Sequence, residues 1–125
     1  MTPRRLITLL AVTATLAGCA VDPHAAADRR AALTSKVFPE PYDRQGVFMT
    51  FPMESGGLYR VLEVIWYPSE VTEFEITRRV EGFCRRQNTQ RLNGQVGVRK
   101  DLGTSTRTLP DGQVKTVRQV FFECL

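Results

Sequence analysis

Residues 71–88 read Val-Thr-Glu-Phe-Glu-Ile-Thr-Arg-Arg-Val-Glu-Gly-Phe-Cys-Arg-Arg-Gln-Asn, and the fold turns on this stretch. Thr72 and Glu75 have the spacing of a capping box, in which the hydroxyl accepts from the amide three residues on and the carboxylate reaches back. Val71 before the cap and Ile76 at the fourth helical position form a hydrophobic staple, so two signals set one register. From about Glu73 to Asn88, the residues Ile76, Val80, Phe83 and Cys84 recur at i, i+4, i+7 and i+8, an apolar stripe along a helix. Asn88 and then Asn93-Gly94 end the helical segment.

On either side the period changes to two. Leu58–Tyr67 carries Leu58, Leu62, Val64 and Trp66 on one face with Arg60, and Tyr59, Val61, Ile65 and Tyr67 on the other with Glu63. Two apolar faces mark an interior strand, and Pro68 stops it. Upstream, Gly46–Phe51 is a short β-rich run closed by Pro52, followed by the turn cluster Glu54-Ser55-Gly56-Gly57. Downstream, Val96 and Val98 open a strand and Thr104–Leu109 forms a polar one. Pro110-Asp111-Gly112 is a hairpin turn, with Pro presetting the first dihedral and Gly accepting the left-handed one. Gln113–Cys124 returns with Val120, Phe122 and Cys124 on one face and Val117, Phe121 and Leu125 on the other. The order predicts an α+β domain, β-β-α-β-β, with one helix on a mostly antiparallel sheet over residues 45–125. Residues 20–36 are Ala-rich and charged; alanine favours a transient or packed helix around residues 25–35, but the segment has little to bury, so residues 19–44 read as a tether punctuated by Pro39 and Pro41.

The first residues have a different logic. Arg4 and Arg5 precede an uncharged run, Leu6–Ala17, of twelve residues. That suits a signal-peptide h-region and falls short of the roughly 20 residues a membrane-spanning helix needs. The run ends in Leu16-Ala17-Gly18-Cys19, which resembles the lipobox of bacterial lipoprotein signal peptides. The resemblance implies removal of residues 1–18, diacylglycerol on the Cys19 sulfur and a further acyl chain, palmitate or similar, on the new amino terminus. Two or three chains anchor stably where one does not. Ala20 stands where Asp would favour inner-membrane retention, so the resemblance implies the outer membrane, facing the periplasm.

Composition narrows the function classes. The chain has 125 residues with 17 basic and 13 acidic side chains; without Arg4 and Arg5 the mature net charge is +2. Nucleic-acid binding calls for a strongly basic domain or stripe, and this is not one. His24 is the single histidine and lies in the tether, so a multi-histidine metal cage is excluded. No phosphate loop or metal-ligand spacing occurs, and no cofactor is expected. With Cys19 lipidated, Cys84 and Cys124 remain. In an oxidising periplasm an even pair reads as a structural disulfide. A redox pair, a partner bridge and free thiols are the alternatives, though the Cys-x-x-Cys spacing of a redox enzyme is absent.

Two groups of side chains are candidate sites. Arg78, Arg79, Arg85 and Arg86 repeat at a spacing of seven, with Arg78 and Arg85 pointing away from the stripe and Arg79 and Arg86 flanking it, all four outside the core. They form either a cationic interaction face or a solvated one, in which Glu75 and Glu81 pair with Arg79 and Arg85 at i, i+4. Tyr59, Trp66 and Tyr67 form either a ligand platform or core. Glu54, Glu63, Glu70, Glu73 and Glu75 include no evident catalytic pair. The sequence therefore predicts a non-enzymatic outer-membrane lipoprotein that binds another envelope protein. The rival is a cell-wall or glycan-directed module, a hydrolase or a hydrolase inhibitor.

Overall fold

The doubly apolar strand lies where its composition requires, between two others. The computed structural model describes residues 23–55, 58–87 and 94–125; Cys19 and the signal segment lie outside them. The elements are α1 (Pro23–Val37), α2 (Pro41–Arg44), β1 (Val47–Ser55), β2 (Leu58–Trp66), α3 (Glu73–Gln87), β3 (Val96–Thr108) and β4 (Val114–Cys124). The four strands form one antiparallel sheet in the order β1-β2-β4-β3. Helix α3 crosses one face of it, so the chain passes from β2 to the far edge, β3, and returns through β4. The α+β class holds, with one main helix on an antiparallel sheet.

The helix start follows the cap it encodes. The Glu75 amide donates to Thr72 Oγ1 at 3.2 Å, and the Ile76 amide donates to the Thr72 carbonyl at 3.0 Å. Val71 and Ile76 are both buried in the core, as a staple requires. The stripe Ile76, Val80, Phe83 and Cys84 packs with Leu62, Val64 and Trp66 of β2 and with Val120, Phe122 and Cys124 of β4. Trp66 and Phe122 meet with ring centroids 6.2 Å apart. Each such side chain, fully buried, contributes about 1.5–3 kcal/mol. Cys84 and Cys124 are bridged across this core with their Cα atoms 5.5 Å apart.

Three elements differ from the sequence expectation. Strand β1 runs on through Pro52, expected to close it, to Ser55. Helix α1 extends past the expected 25–35, and the chain at its end is core: Val37 and Phe38 join the cluster. The folded unit thus extends upstream of residue 45, because an Ala-rich helix of low amphipathicity delivers two large side chains at its C-terminal end. Gly46 makes the turn into β1 at φ +74, where a Cβ would lie 2.9 Å from Val71 Cγ1. The two C-terminal β runs before the hairpin are one strand, β3, carried through Arg99–Gly103 by irregularities at Val98/Lys100 and Asp101/Gly103. Bulges and charges of this kind blunt an edge strand against unwanted pairing. The hairpin turn is as read: the Gly112 amide donates to the Leu109 carbonyl at 2.9 Å and Gly112 has φ +84.

The bridge closes a separation of 40 residues between the helix and the last strand. Replacing Cys84 and Cys124 together with Ala lowers stability by roughly 2–5 kcal/mol in denaturant melts, the usual loss for a native bridge in a small domain. Non-reducing peptide mapping of the parent protein recovers the two cysteines in one linked peptide pair.

Candidate functional site

The four arginines of α3 divide into two kinds. Arg79 is buried, with a side-chain exposure of 3%. Its Nη1 donates to the main-chain carbonyls of Asp43 at 2.9 Å and Gln45 at 2.7 Å, and its Nε to Glu75 Oε1 at 3.3 Å. Arg86 donates from Nη2 to the Val37 carbonyl at 2.7 Å. Arg79 and Arg86 therefore strap residues 37–45 to the helix. The expectation that all four lie outside the core fails for Arg79, because α2 and the turn after it cover that flank of α3. Arg78 and Arg85 remain exposed, at 50% and 63% of their side chains, paired with Glu75 and Glu81 respectively. As an interaction face, the four-arginine set loses Arg79; Arg86 is exposed like Arg78 and Arg85, though its guanidinium is engaged on the Val37 carbonyl.

The carboxylates are engaged in structural contacts. Glu75 has turned from the cap to the arginines, and Arg78 and Arg79 hold its carboxyl down at about 2 from an ordinary 4.5, the Arg78 hydrogen bond contributing most. Glu73 and Asp101 share Arg118, at 3.2 and 2.6 Å. Glu70 meets Lys115 at 3.7 Å. Glu63 accepts from the Gln119 amide at 2.5 Å. Asp101 titrates below its usual range, chiefly through the hydrogen bond it accepts from the Gly103 amide and secondly through Arg118. Among the described residues no group of three or more His, Cys, Asp and Glu side chains is placed to hold a metal ion.

The aromatic set also divides. Trp66 is core at 0% exposure, whereas Tyr59 is 44% exposed on the opposite face of β2. That second sheet face, away from α3, is the candidate site. The register puts Phe51, Glu63, Phe121 and Lys100 in one row across the four strands, with Met53, Val61 and Glu123 in the next. Phe51 is 48% exposed. A hollow of about 440 Å³ lies among Met53, Glu54, Val61, Arg99, Lys100 and Phe121. Its floor is apolar, and Arg99 and Lys100 form a wall without a carboxylate partner among the described residues. This arrangement can seat an apolar side chain and hold a neighbouring carboxylate. Phe121 lies on the face away from Val120, as the strand alternation predicts, and β1 continues that face with Phe51 and with Met53, the latter beyond the expected end of β1 at Pro52. The available signal was the alternation of Met49, Phe51 and Met53 through Pro52.

No family model matches the chain, and neither a curated protein nor a solved structure resembles it. The functional reading therefore rests on the geometry and on the sequence.

Two outcomes follow. Arg79→Met removes the donor shared by the Asp43 and Gln45 carbonyls, hydrogen bonds worth about 0.5–1.5 kcal/mol each, and lowers the melting temperature clearly, while Arg78→Ala leaves it near the parent value. Glu75, depressed to about 2 when folded and near 4.3 when unfolded, contributes stability that is present above about pH 4.5 and lost as pH falls toward 2. Glu75→Gln accordingly flattens the acid limb of stability against pH and leaves the slope above pH 5 unchanged.

Proposed function

We propose that the chain is a lipid-anchored, periplasm-facing protein of the outer membrane, without enzymatic activity, that binds another envelope protein through the sheet face opposite α3. The observation that carries the binding reading is the hollow among Met53, Val61 and Phe121, in which Met53 and Phe121 are partly exposed over the buried Val61 and Arg99 and Lys100 have no partner of their own among the described residues. The chemistry that fits it is an apolar side chain followed closely by a carboxylate, presented on a protein segment. Aromatic and arginine side chains are the ones interfaces concentrate at their centres.

The anchor and compartment rest on the N-terminal sequence, with Leu16-Ala17-Gly18-Cys19 as the acylation site. The Cys84–Cys124 bridge supports an oxidising compartment, where such bonds form and persist. Among the described residues no helix is long and apolar enough to cross a membrane.

The test combines two measurements. Cys19→Ser abolishes acyl labelling in the producing bacterium; labelling that persists contradicts the anchor. A photo-cross-linking residue in place of Phe51 captures an envelope protein, and Arg99→Glu with Lys100→Glu abolishes that adduct while Arg85→Glu does not. Capture unaffected by the charge reversal contradicts the binding face. Sedimentation with purified cell wall in place of protein capture favours the glycan-directed alternative.

A further inference from the structure

A second surface gathers positive charge from three separate segments of the chain. Arg30 of α1 and Arg107 of β3 both lie over the Phe48 ring, their guanidinium carbons 4.8 and 4.9 Å from its centroid. Lys115 Nζ lies 4.8 Å from the centroid of Tyr67, whose ring meets Phe48 edge-on at 6.1 Å. Arg107 and Lys115 are direct cross-strand partners in the hairpin, a placement in which like charges repel. Among the described residues neither Arg30 nor Arg107 has a carboxylate partner, and Glu70 answers Lys115 alone. Burial, reinforced by Glu70, pushes the Tyr67 hydroxyl up, so it remains a neutral donor.

Arg30 and Arg44 line a cleft of about 750 Å³ between α1 and the hairpin, with the apolar groups of Ala27, Ala31, Val47 and Leu109. Arg107 lines an adjoining hollow of about 460 Å³ that shares Arg30 and Phe48 with it, and Lys115 lies outside both, over Tyr67. The described lining contains no carboxylate. Repelling cations held together on aromatic rings above an apolar floor match a ligand with an anionic head and an aliphatic body. Guanidinium groups bind phosphate bidentately.

The position of the anchor identifies the source of that ligand. Cys19 is four residues from Pro23, a span of at most about 14 Å, and Arg30 is about 10 Å further along α1 at 1.5 Å per residue. The cleft therefore lies within about 25 Å of Cys19, within reach of a membrane anchored there. We propose that the cleft of Arg30, Arg44 and Arg107 binds the phosphate headgroup of an anionic phospholipid, orienting the domain on its own membrane. The choice of a lipid over a soluble anion rests on the anchor reading; the cluster itself does not.

The test uses the full chain with Cys19→Ser, so that no acyl chain contributes to binding. Flotation is compared between vesicles of phosphatidylcholine and vesicles containing phosphatidylglycerol at about one part in three. The expected result is a phosphatidylglycerol-dependent increase in binding that Arg30→Glu with Arg107→Glu lowers about tenfold or more, since each basic residue at an anionic surface accounts for about fivefold. Arg78→Glu with Arg85→Glu leaves the increase intact. Should the double reversal fail to fold, Arg30→Gln with Arg107→Gln gives the same comparison. Equal binding to both vesicles, or an increase that survives loss of the cleft cations, overturns the proposal. Because the chain is unacylated, a failed anchor appears in the acyl labelling and a failed cleft appears here.

Discussion

A guanidinium leaves water only where its donors find acceptors, and Arg79 finds them in the segment that precedes the sheet. Two main-chain carbonyls, of Asp43 and Gln45, and the Glu75 carboxylate receive its hydrogen bonds. Those carbonyls belong to a turn with no ladder of its own, so each side satisfies the other. With Arg86 on the Val37 carbonyl, the two arginines strap residues 37–45 along α3. The strap seats Val37 and Phe38 in the core and sets where β1 begins. Much of the rest depends on that placement: α1 lies beside β1, and Arg30 reaches Phe48.

The disulfide acts on the other side of the same helix. Cys84 leaves the apolar stripe toward β4, while Arg79 and Arg86 hold the N-terminal segment. The helix is thus bound to both ends of the chain, and the α3 face of the sheet is fully occupied. The opposite face carries Phe51, Tyr59, Phe121 and the cations of β3. That is the face to which the proposed function assigns partner binding.

The helix and its register were legible because cap, staple and stripe agreed, and the two faces of Leu58–Tyr67 were legible because a strand has period two. The pairing of Cys84 with Cys124 rests on the even count left once Cys19 is set aside, and the register only places Cys84 on the core face. Helical phase separated Arg78, away from the stripe, from Arg79 beside it, but the burial of Arg79 was not legible because it depends on the covering by α2. A helix near residues 25–35 was legible from its alanines; that it carries core was not, because Val37 and Phe38 come at and just past its end, beyond a run with weak periodicity. The sheet-face hollow and the cationic cleft join segments far apart in sequence. One neighbour of the cleft was accessible from sequence: a hairpin centred on Pro110-Asp111-Gly112 places Arg107 opposite Lys115, an unfavourable like-charge pair.

The strap is tested most directly by hydrogen exchange on the parent protein and Arg79→Met. The account predicts loss of protection in α1 and α2 and at the Phe38 and Tyr67 amides, which donate to Thr34 and Gly46, with Val120 and Phe122 of β4 as protected as before. Unchanged exchange in residues 23–47, or loss spread evenly through β2 and β4, would contradict it.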